Sequence, residues 1–143
     1  MSQVRMLISM GAVALAGATA FGIGASVSST PSLMSRGDFE TLKVAIGAEA
    51  QELEVACDAR RGADRHLCQA ESRARQEVLL AELEARYRGT FSAAREANFT
   101  RIRAKYDVDR SRCFAYAGFK RDNCVVAAHA ERARALMAIK SEG

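Results

Sequence analysis

The same cysteine pattern occurs twice in this chain. Segments 57–68 and 113–124 each begin and end with Cys, and together they contain all four cysteines. In both segments a Gly follows the first Cys by five residues, and an Arg precedes the second Cys by three. The glycines are Gly62 and Gly118. Because a shift of 56 residues overlays the two segments, we predict an internal repeat of one structural unit.

The central Gly predicts a helical hairpin that is closed by its own disulfide. A Gly midway between two cysteines can form the turn between antiparallel helices. Each helix rises about 1.5 Å per residue, so the two cysteines lie at nearly the same height on the two arms. At that height they can reach disulfide distance. We therefore predict the disulfides Cys57–Cys68 and Cys113–Cys124, each worth about 3 kcal/mol of stability.

Three other uses of the cysteines remain open at the level of sequence. A zinc site would favour close pairs such as Cys-x2-4-Cys, and a redox pair would favour Cys-x-x-Cys; neither spacing occurs in this chain. Twin cysteine pairs that each lie on one helix and bridge to the other helix would resemble the mitochondrial CHCH class. Here the spacing is one residue longer than in that class, and a Gly interrupts each pair.

The composition explains why such a chain would use covalent links. Hydrophobic residues make up 49% of the chain, but many of them are Ala, and there is no Trp. An Ala side chain removes little apolar surface from water, so a core of this kind is thin. A thin core leaves a larger share of the stability to disulfides.

From about residue 35 onward, apolar residues recur at helical spacing, and no long stretch alternates with the period of a strand. Ser35 and Asp38 resemble a capping box that starts the first helix. Gly62, Gly89 and Gly118 are predicted to end the first, second and third helices. The residues predicted to cap the following helices are Asp64, Thr90, and Asp122 or Asn123.

These patterns predict an all-α protein of two disulfide-stapled helical hairpins, at residues 37–88 and 89–143. The four helices could form a compact, coiled-coil-like bundle or two extended antiparallel hairpins. A homodimer is one arrangement that would cover the thin core. Glu71 with Arg75 and Glu82 with Arg86 are predicted to form ion pairs within one helix, because each pair is spaced i,i+4.

The first residues read as a secretory leader. A short positive start is followed by a run of apolar and small residues, and Ala18-Thr-Ala20 fits an A-x-A cleavage site. We predict a signal peptide at 1–25, cleaved near Ala20 or Ala25, and a flexible lead-in at 26–36. The alternative is an uncleaved inner-membrane anchor over residues 6–27. A cleaved leader predicts a periplasmic protein in which disulfides are chemically reasonable.

The two predicted hairpin tips carry an excess of positive charge. In an up-down-up-down order the first and third turns lie at the same end, so their charges would combine. This end could contact anionic envelope material, such as phospholipid or lipopolysaccharide phosphates. The ordinary alternative is a solvated tip whose Asp residues cap helices and whose Arg residues provide solubility. The candidate contact residues are Arg60, Arg61, Arg65, Lys120 and Arg121.

Nothing in the sequence groups residues into a catalytic motif. His66 lies in a charged turn, and His129 lies on a predicted helix surface. There is no Gly-rich phosphate loop, and the paired acids are spaced i,i+2, which points them apart on a helix. We therefore predict no catalysis, no metal, no cofactor and no nucleic-acid partner. The paired acids are Glu52/Glu54 and Glu82/Glu84.

The chain resembles a group of small exported helical proteins of betaproteobacteria, which are often labelled "cell envelope biogenesis protein TolA". The resemblance rests on Cys57-Asp-Ala-x-x-Gly62 with Cys68, and on Ala-Glu-Leu-Glu-Ala-Arg-Tyr-x-Gly-Thr at 81–90. It covers about residues 38–140. Members carry a Lys-Asp pair before the second Cys, whereas the first copy here has Arg65-His66. The resemblance implies a place in the cell envelope and no established ligand.

A weaker resemblance is to small periplasmic lysozyme-inhibitor-like domains, which pair a cystine with a Leu-rich helix ending in Tyr, as from Cys68 to Tyr87. It covers about a third of the chain and implies binding of an enzyme. The sequence thus predicts an exported envelope protein with a structural or interaction role. The alternative is a binding module that inhibits a lytic enzyme or binds anionic envelope ligands.

Overall fold

Four α-helices account for nearly all of residues 34–141, the part of the chain that this computed structural model describes. They are α1 (Arg36–Asp58), α2 (Gly62–Arg88), α3 (Phe91–Arg112) and α4 (Gly118–Ser141), with a 3-10 turn at Cys113–Ala115. No strand occurs in this range, which confirms the predicted all-α class. The predicted signal peptide and the alternative anchor at 6–27 lie outside the described residues, as does most of the predicted lead-in.

Both predicted disulfides are present. Cys57 and Cys68 join the end of α1 to the start of α2 with a Cα–Cα distance of 5.5 Å. Cys113 and Cys124 join the end of α3 to the start of α4 with a Cα–Cα distance of 5.6 Å. All four cysteines are therefore used within their own hairpins, and none is free. This pairing excludes the zinc and redox-thiol alternatives, and also the CHCH-like pairing.

Three of the predicted helix boundaries are confirmed by their caps. The backbone N–H of Asp38 donates to the Ser35 hydroxyl over 3.1 Å, and the Ser35 hydroxyl donates to the Asp38 carboxylate over 2.8 Å. The backbone N–H of Ala93 donates to the Thr90 hydroxyl over 3.2 Å at the start of α3. Gly89 ends α2 in the left-handed conformation, with φ 59°. Each cap satisfies backbone groups that have no partner inside the helix.

The helix boundaries at the two cystine turns were predicted wrongly. Helix α1 ends at Asp58, and Gly62 is the first residue of α2 and not the end of α1. Gly118 likewise begins α4, after the 3-10 turn. Asp64 lies inside the first turn of α2, so it is not the N-cap; that position is Arg61, whose side chain makes no capping bond. Asp122, like the next residue, lies within α4 and does not cap it.

Both glycines are nevertheless needed for the turns. Gly62 has φ +56° and Gly118 has φ +53°, and a Cβ added at either position would meet no atom within 4 Å. Space is therefore not what favours Gly there. A side chain at positive φ strains the backbone by roughly 1 kcal/mol, and Gly avoids that strain. The matching angles show that the two sequence copies form their turns in the same way.

The helices pack in chain order, as an open layer. Within residues 36–141, α2 packs against α1 and α3, and α3 packs against α2 and α4. Helices α1 and α4 do not contact each other, so the described helices do not close into a four-helix bundle. The two hairpins are joined side by side through the α2–α3 contact. No helix in this range is long and apolar enough to cross a bilayer.

The buried core is as thin as the composition predicts. Six of the ten buried hydrophobic residues are Ala. The largest fully buried side chains are Leu83, Cys57 and Cys113, so two of those three belong to the cystines. One polar group is buried among them, the Ser72 hydroxyl, which donates to the Ala50 carbonyl over 3.4 Å and joins α2 to α1. The disulfides thus supply core volume as well as a covalent link.

Most ion pairs on α2 run to a neighbouring helix, and the two predicted pairs within α2 do not form. Within α2, Glu84 pairs instead with Arg88 at 3.9 Å. Glu82 pairs with Arg101 on α3 at 2.5 Å, and Glu71 pairs with Arg112 at 3.5 Å. Arg75 pairs with Glu49 on α1 at 2.7 Å. These side chains are about half exposed, and such pairs are each worth only about 0–1 kcal/mol. Because they add little stability, these ion pairs act mainly to select which face of α2 packs against α1 and which packs against α3.

We expect Leu83→Ala to lower the free energy of unfolding by about 2–5 kcal/mol, because Leu83 is 0% exposed and its loss leaves a cavity in a thin core. The matched control is Leu42→Ala, at a side chain that is 40% exposed, for which we expect a loss of about 1 kcal/mol or less. Urea unfolding followed by circular dichroism measures both. Equal losses would show that Leu83 is not the centre of the core.

We expect Cys57→Ala/Cys68→Ala to cost about 3 kcal/mol or more, because the loop of the unfolded chain is no longer closed and buried sulfur is lost. The corresponding change at Cys113 and Cys124 should cost a similar amount. Reduction of the unmodified protein with dithiothreitol is the control, since it opens both loops without a substitution. A midpoint in urea that is unchanged by reduction would contradict the stabilising role of the disulfides.

Candidate functional site

The two cystine loops, residues 57–68 and 113–124, lie together at one end of the helical layer. We call this surface the cystine end. Successive antiparallel helices bring the first and third turns to the same side. The rings of His66 in the first loop and Phe114 in the second lie 5.9 Å apart between centroids. The two copies of the cysteine pattern are offset by 56 positions in the sequence, yet their side chains share one surface.

The cystine end carries more positive than negative charge. It contains five cationic side chains and three carboxylates, a net charge of +2. Asp58 is paired with Arg65 at 2.7 Å, so neither of these two charges is free for a ligand. Asp64 lies in the first turn of α2, where the helix dipole favours a carboxylate. The remaining cations are Arg60, Arg61, Lys120 and Arg121.

These four cations differ in their surroundings. Arg60 and Arg61 lie at the turn between α1 and α2, are exposed, and form no ion pair with any described residue. Lys120 Nζ lies 4.4 Å from the centre of the Tyr116 ring, and the Arg121 guanidinium lies 4.7 Å from that of Phe114. Such contacts fix the cations in place without neutralising them. The end therefore presents four positive groups to solvent.

Three aromatic side chains at the cystine end were missed by the sequence analysis. Phe114, Tyr116 and Phe119 are all exposed, and Phe119 is exposed to 80%. They are three of the nine aromatic residues in the whole chain, and they lie within six consecutive positions. That density in one predicted turn was a usable signal. The first copy has no Phe, Tyr or Trp between its cysteines, so the two loops are chemically unequal.

The disulfide 113–124 encloses all three aromatics and two of the cations. The loop is short, and its ends are held by a 3-10 turn on one side and by α4 on the other. Its backbone is therefore ordered by folding before any ligand arrives. A surface ordered in advance does not lose that conformational entropy again on binding.

Elsewhere the described residues offer grooves but no reactive cluster. An open groove of about 470 Å³ lies between α3 and α4, lined by Phe99, Ile102 and Leu136 together with charged side chains. His129 lies on α4, and its Nε2 is 3.0 Å from the hydroxyl of the buried Tyr106, a bond that joins α4 to α3. Within residues 34–141, no group of three His, Cys, Asp or Glu is placed to hold a metal ion.

No family model, no curated protein and no solved structure matches this chain. The cystine end combines four solvent-facing cations with three exposed aromatic rings on a cross-linked turn. This arrangement is suited to binding a surface that displays anions.

Proposed function

We propose that this protein is an exported interaction module of the bacterial cell envelope, and that its cystine end binds the phosphate groups displayed by envelope membranes. Phospholipid and lipopolysaccharide share that chemistry. The proposed role is structural and involves no catalysis. The observation that carries the proposal is the juxtaposition of the two loops, marked by the 5.9 Å contact between His66 and Phe114, which combines the cations of both copies on one surface.

The charge balance supports this proposal over a merely solvated tip. One cation of the cystine end, Arg65, is paired locally with Asp58 at 2.7 Å. Arg60 and Arg61 instead stand beside each other in the turn with no carboxylate in contact. Like charges that are adjacent and unpaired repel each other, and an anionic surface relieves that repulsion. Each Lys or Arg near an anionic membrane surface is worth about 1 kcal/mol of binding.

Two further points support a place in the envelope. Disulfides form and persist in oxidising compartments such as the periplasm, and both cystines of this chain are closed. The leader predicted at 1–25 would deliver the chain there. The periplasm is therefore the proposed location, where membrane phosphates are the abundant fixed anions.

We expect the oxidised protein to bind vesicles that contain phosphatidylglycerol and to bind vesicles of phosphatidylcholine much more weakly. Arg60→Gln/Arg61→Gln should weaken binding to the anionic vesicles by about thirtyfold, since two cations are lost at about 1 kcal/mol each. The difference should shrink when salt is raised from about 0.1 M to about 1 M, because the Debye length falls from about 10 Å to about 3 Å. Vesicle co-sedimentation measures each value.

The control is Arg36→Gln/Arg86→Gln, which removes the same charge from the opposite end of the layer. Arg36 begins α1, and Arg86 lies in the last turn of α2, about 30 Å or more from the cystine end at about 1.5 Å per residue. All variants must carry the same N-terminus, so that the leader contributes equally. Equal weakening by both double variants, or equal binding to neutral and anionic vesicles, would overturn the proposed function.

A further inference from the structure

We propose that the aromatic side chains of the cystine end insert into the lipid bilayer, with Phe119 as the deepest, while the surrounding cations hold the phosphates. This inference rests on the proposed function and specifies the ligand that the cystine end binds. The ligand is the interfacial layer of an anionic bilayer, and not a soluble phosphate compound.

Phe119 is the most exposed aromatic residue in the described part of the chain, at 80%. It is the second residue of α4, directly after Gly118, and so lies at the tip of the hairpin. No ring or cation of the described residues lies against it, in contrast to Phe114 and Tyr116. A single exposed apolar side chain needs no explanation, but Phe119 shares its disulfide-closed turn with two further exposed rings, Phe114 and Tyr116. Exposed apolar groups that are rimmed by charge mark an interaction site.

The rim of that patch is cationic. Lys120 and Arg121 follow Phe119 directly, and Arg60 and Arg61 belong to the neighbouring turn. An anionic bilayer complements both parts of this surface. Its phosphates can pair with the cations, and its apolar chains, a few ångströms below, can surround the rings. A Tyr ring favours this boundary because it carries a polar hydroxyl on an apolar ring, whereas a Phe ring favours the apolar side of the boundary. Lys and Arg can keep their charged ends at the phosphates while their apolar stems lie deeper.

Other anionic ligands account for only part of this surface. A soluble phosphate compound would pair with the cations but would leave the apolar rings in water. A single-stranded nucleic acid would stack its bases on open aromatic faces. The Arg121 guanidinium already lies over Phe114, and the Lys120 ammonium lies over Tyr116, so a face of each of these rings is occupied. One ring, that of Phe119, would be left for stacking.

The disulfide makes insertion favourable in a further way. Phe119 lies between Cys113 and Cys124, whose Cα atoms are held 5.6 Å apart. The disulfide therefore fixes the backbone from which the ring projects, and binding orders no additional backbone. A flexible loop of the same composition would lose part of its binding energy to ordering.

The absence of Trp from the chain allows a direct test. Phe119→Trp places one fluorophore at the tip of the cystine end. The matched control is Phe91→Trp, at the first residue of α3, which is 75% exposed and lies at the opposite end of the layer. We expect the Trp at 119 to shift its emission to shorter wavelength with phosphatidylglycerol vesicles, and to be quenched by lipids brominated in the acyl chains. The Trp at 91 should show neither change.

A second variant measures the contribution to binding. Phe119→Ala should weaken partition into phosphatidylglycerol vesicles by about tenfold, and that loss should persist in high salt because apolar burial is not screened. Circular dichroism and urea unfolding should match the unmodified protein, since the ring packs against no neighbour. Soluble polyphosphate is the comparison ligand, and its binding should be unaffected by Phe119→Ala.

The outcomes separate the two proposals. Vesicle binding that depends on Arg60 and Arg61, with no spectral change or quenching at position 119, would overturn insertion and leave the proposed function standing. The same result would follow if polyphosphate bound as tightly as vesicles and Phe119→Ala changed neither. Equal quenching at 119 and 91 would contradict insertion through the cystine end. Failure to bind anionic vesicles at all would overturn both proposals.

Discussion

The disulfides Cys57–Cys68 and Cys113–Cys124 hold the two arms of each hairpin at Cα–Cα distances of 5.5 and 5.6 Å, and most other features depend on that closure. Helices rich in Ala bury little apolar surface, so packing alone holds the arms weakly. Each short loop removes conformational freedom from the unfolded chain, which is worth about 3 kcal/mol. Because Cys57 and Cys113 are also among the most buried side chains, the same bonds supply part of the missing core.

Closure at the turns also permits the open order of the helices. In a closed bundle with a thick core, every helix packs against two neighbouring helices. Here α1 packs only against α2, and α4 packs against α3 alone among the four helices. The outer helices consequently keep exposed apolar side chains, such as Val44 and Val55 on α1 and Met137 on α4. The homodimer remains a prediction, and these outer faces are where a second copy would pack.

The cystine end shows how disulfides that stabilise the fold can also shape an exposed surface. The disulfides must lie at the turns, because only there do cysteines eleven positions apart face each other across a hairpin. The chain order then brings both turns to one end, where Phe114 contacts His66. The rigid turns keep Phe119 in solvent rather than against a neighbour. The proposed ligand, an anionic bilayer, offers phosphate and hydrocarbon together and would match that combination of cations and exposed rings.

Residues near one another in the chain determined much of this structure without help from the fold. The cysteine spacing with its central Gly predicted both disulfides, and the capping roles of Ser35 and Thr90 followed from hydrogen bonds within one turn of helix. Local geometry also predicted the all-α class and the shared end of the two turns.

Only the tertiary structure decided which distant side chains meet. Glu82 pairs with Arg101 on α3 and not with Arg86, because α3 lies close enough to compete with the local partner. The exposure of Phe119 was equally invisible in the sequence, since a Phe at the start of a helix packs inward or outward according to the position of its neighbours. Contacts within one helical turn depend on a handful of adjacent residues. Contacts between helices depend on the register of segments that no local pattern specifies.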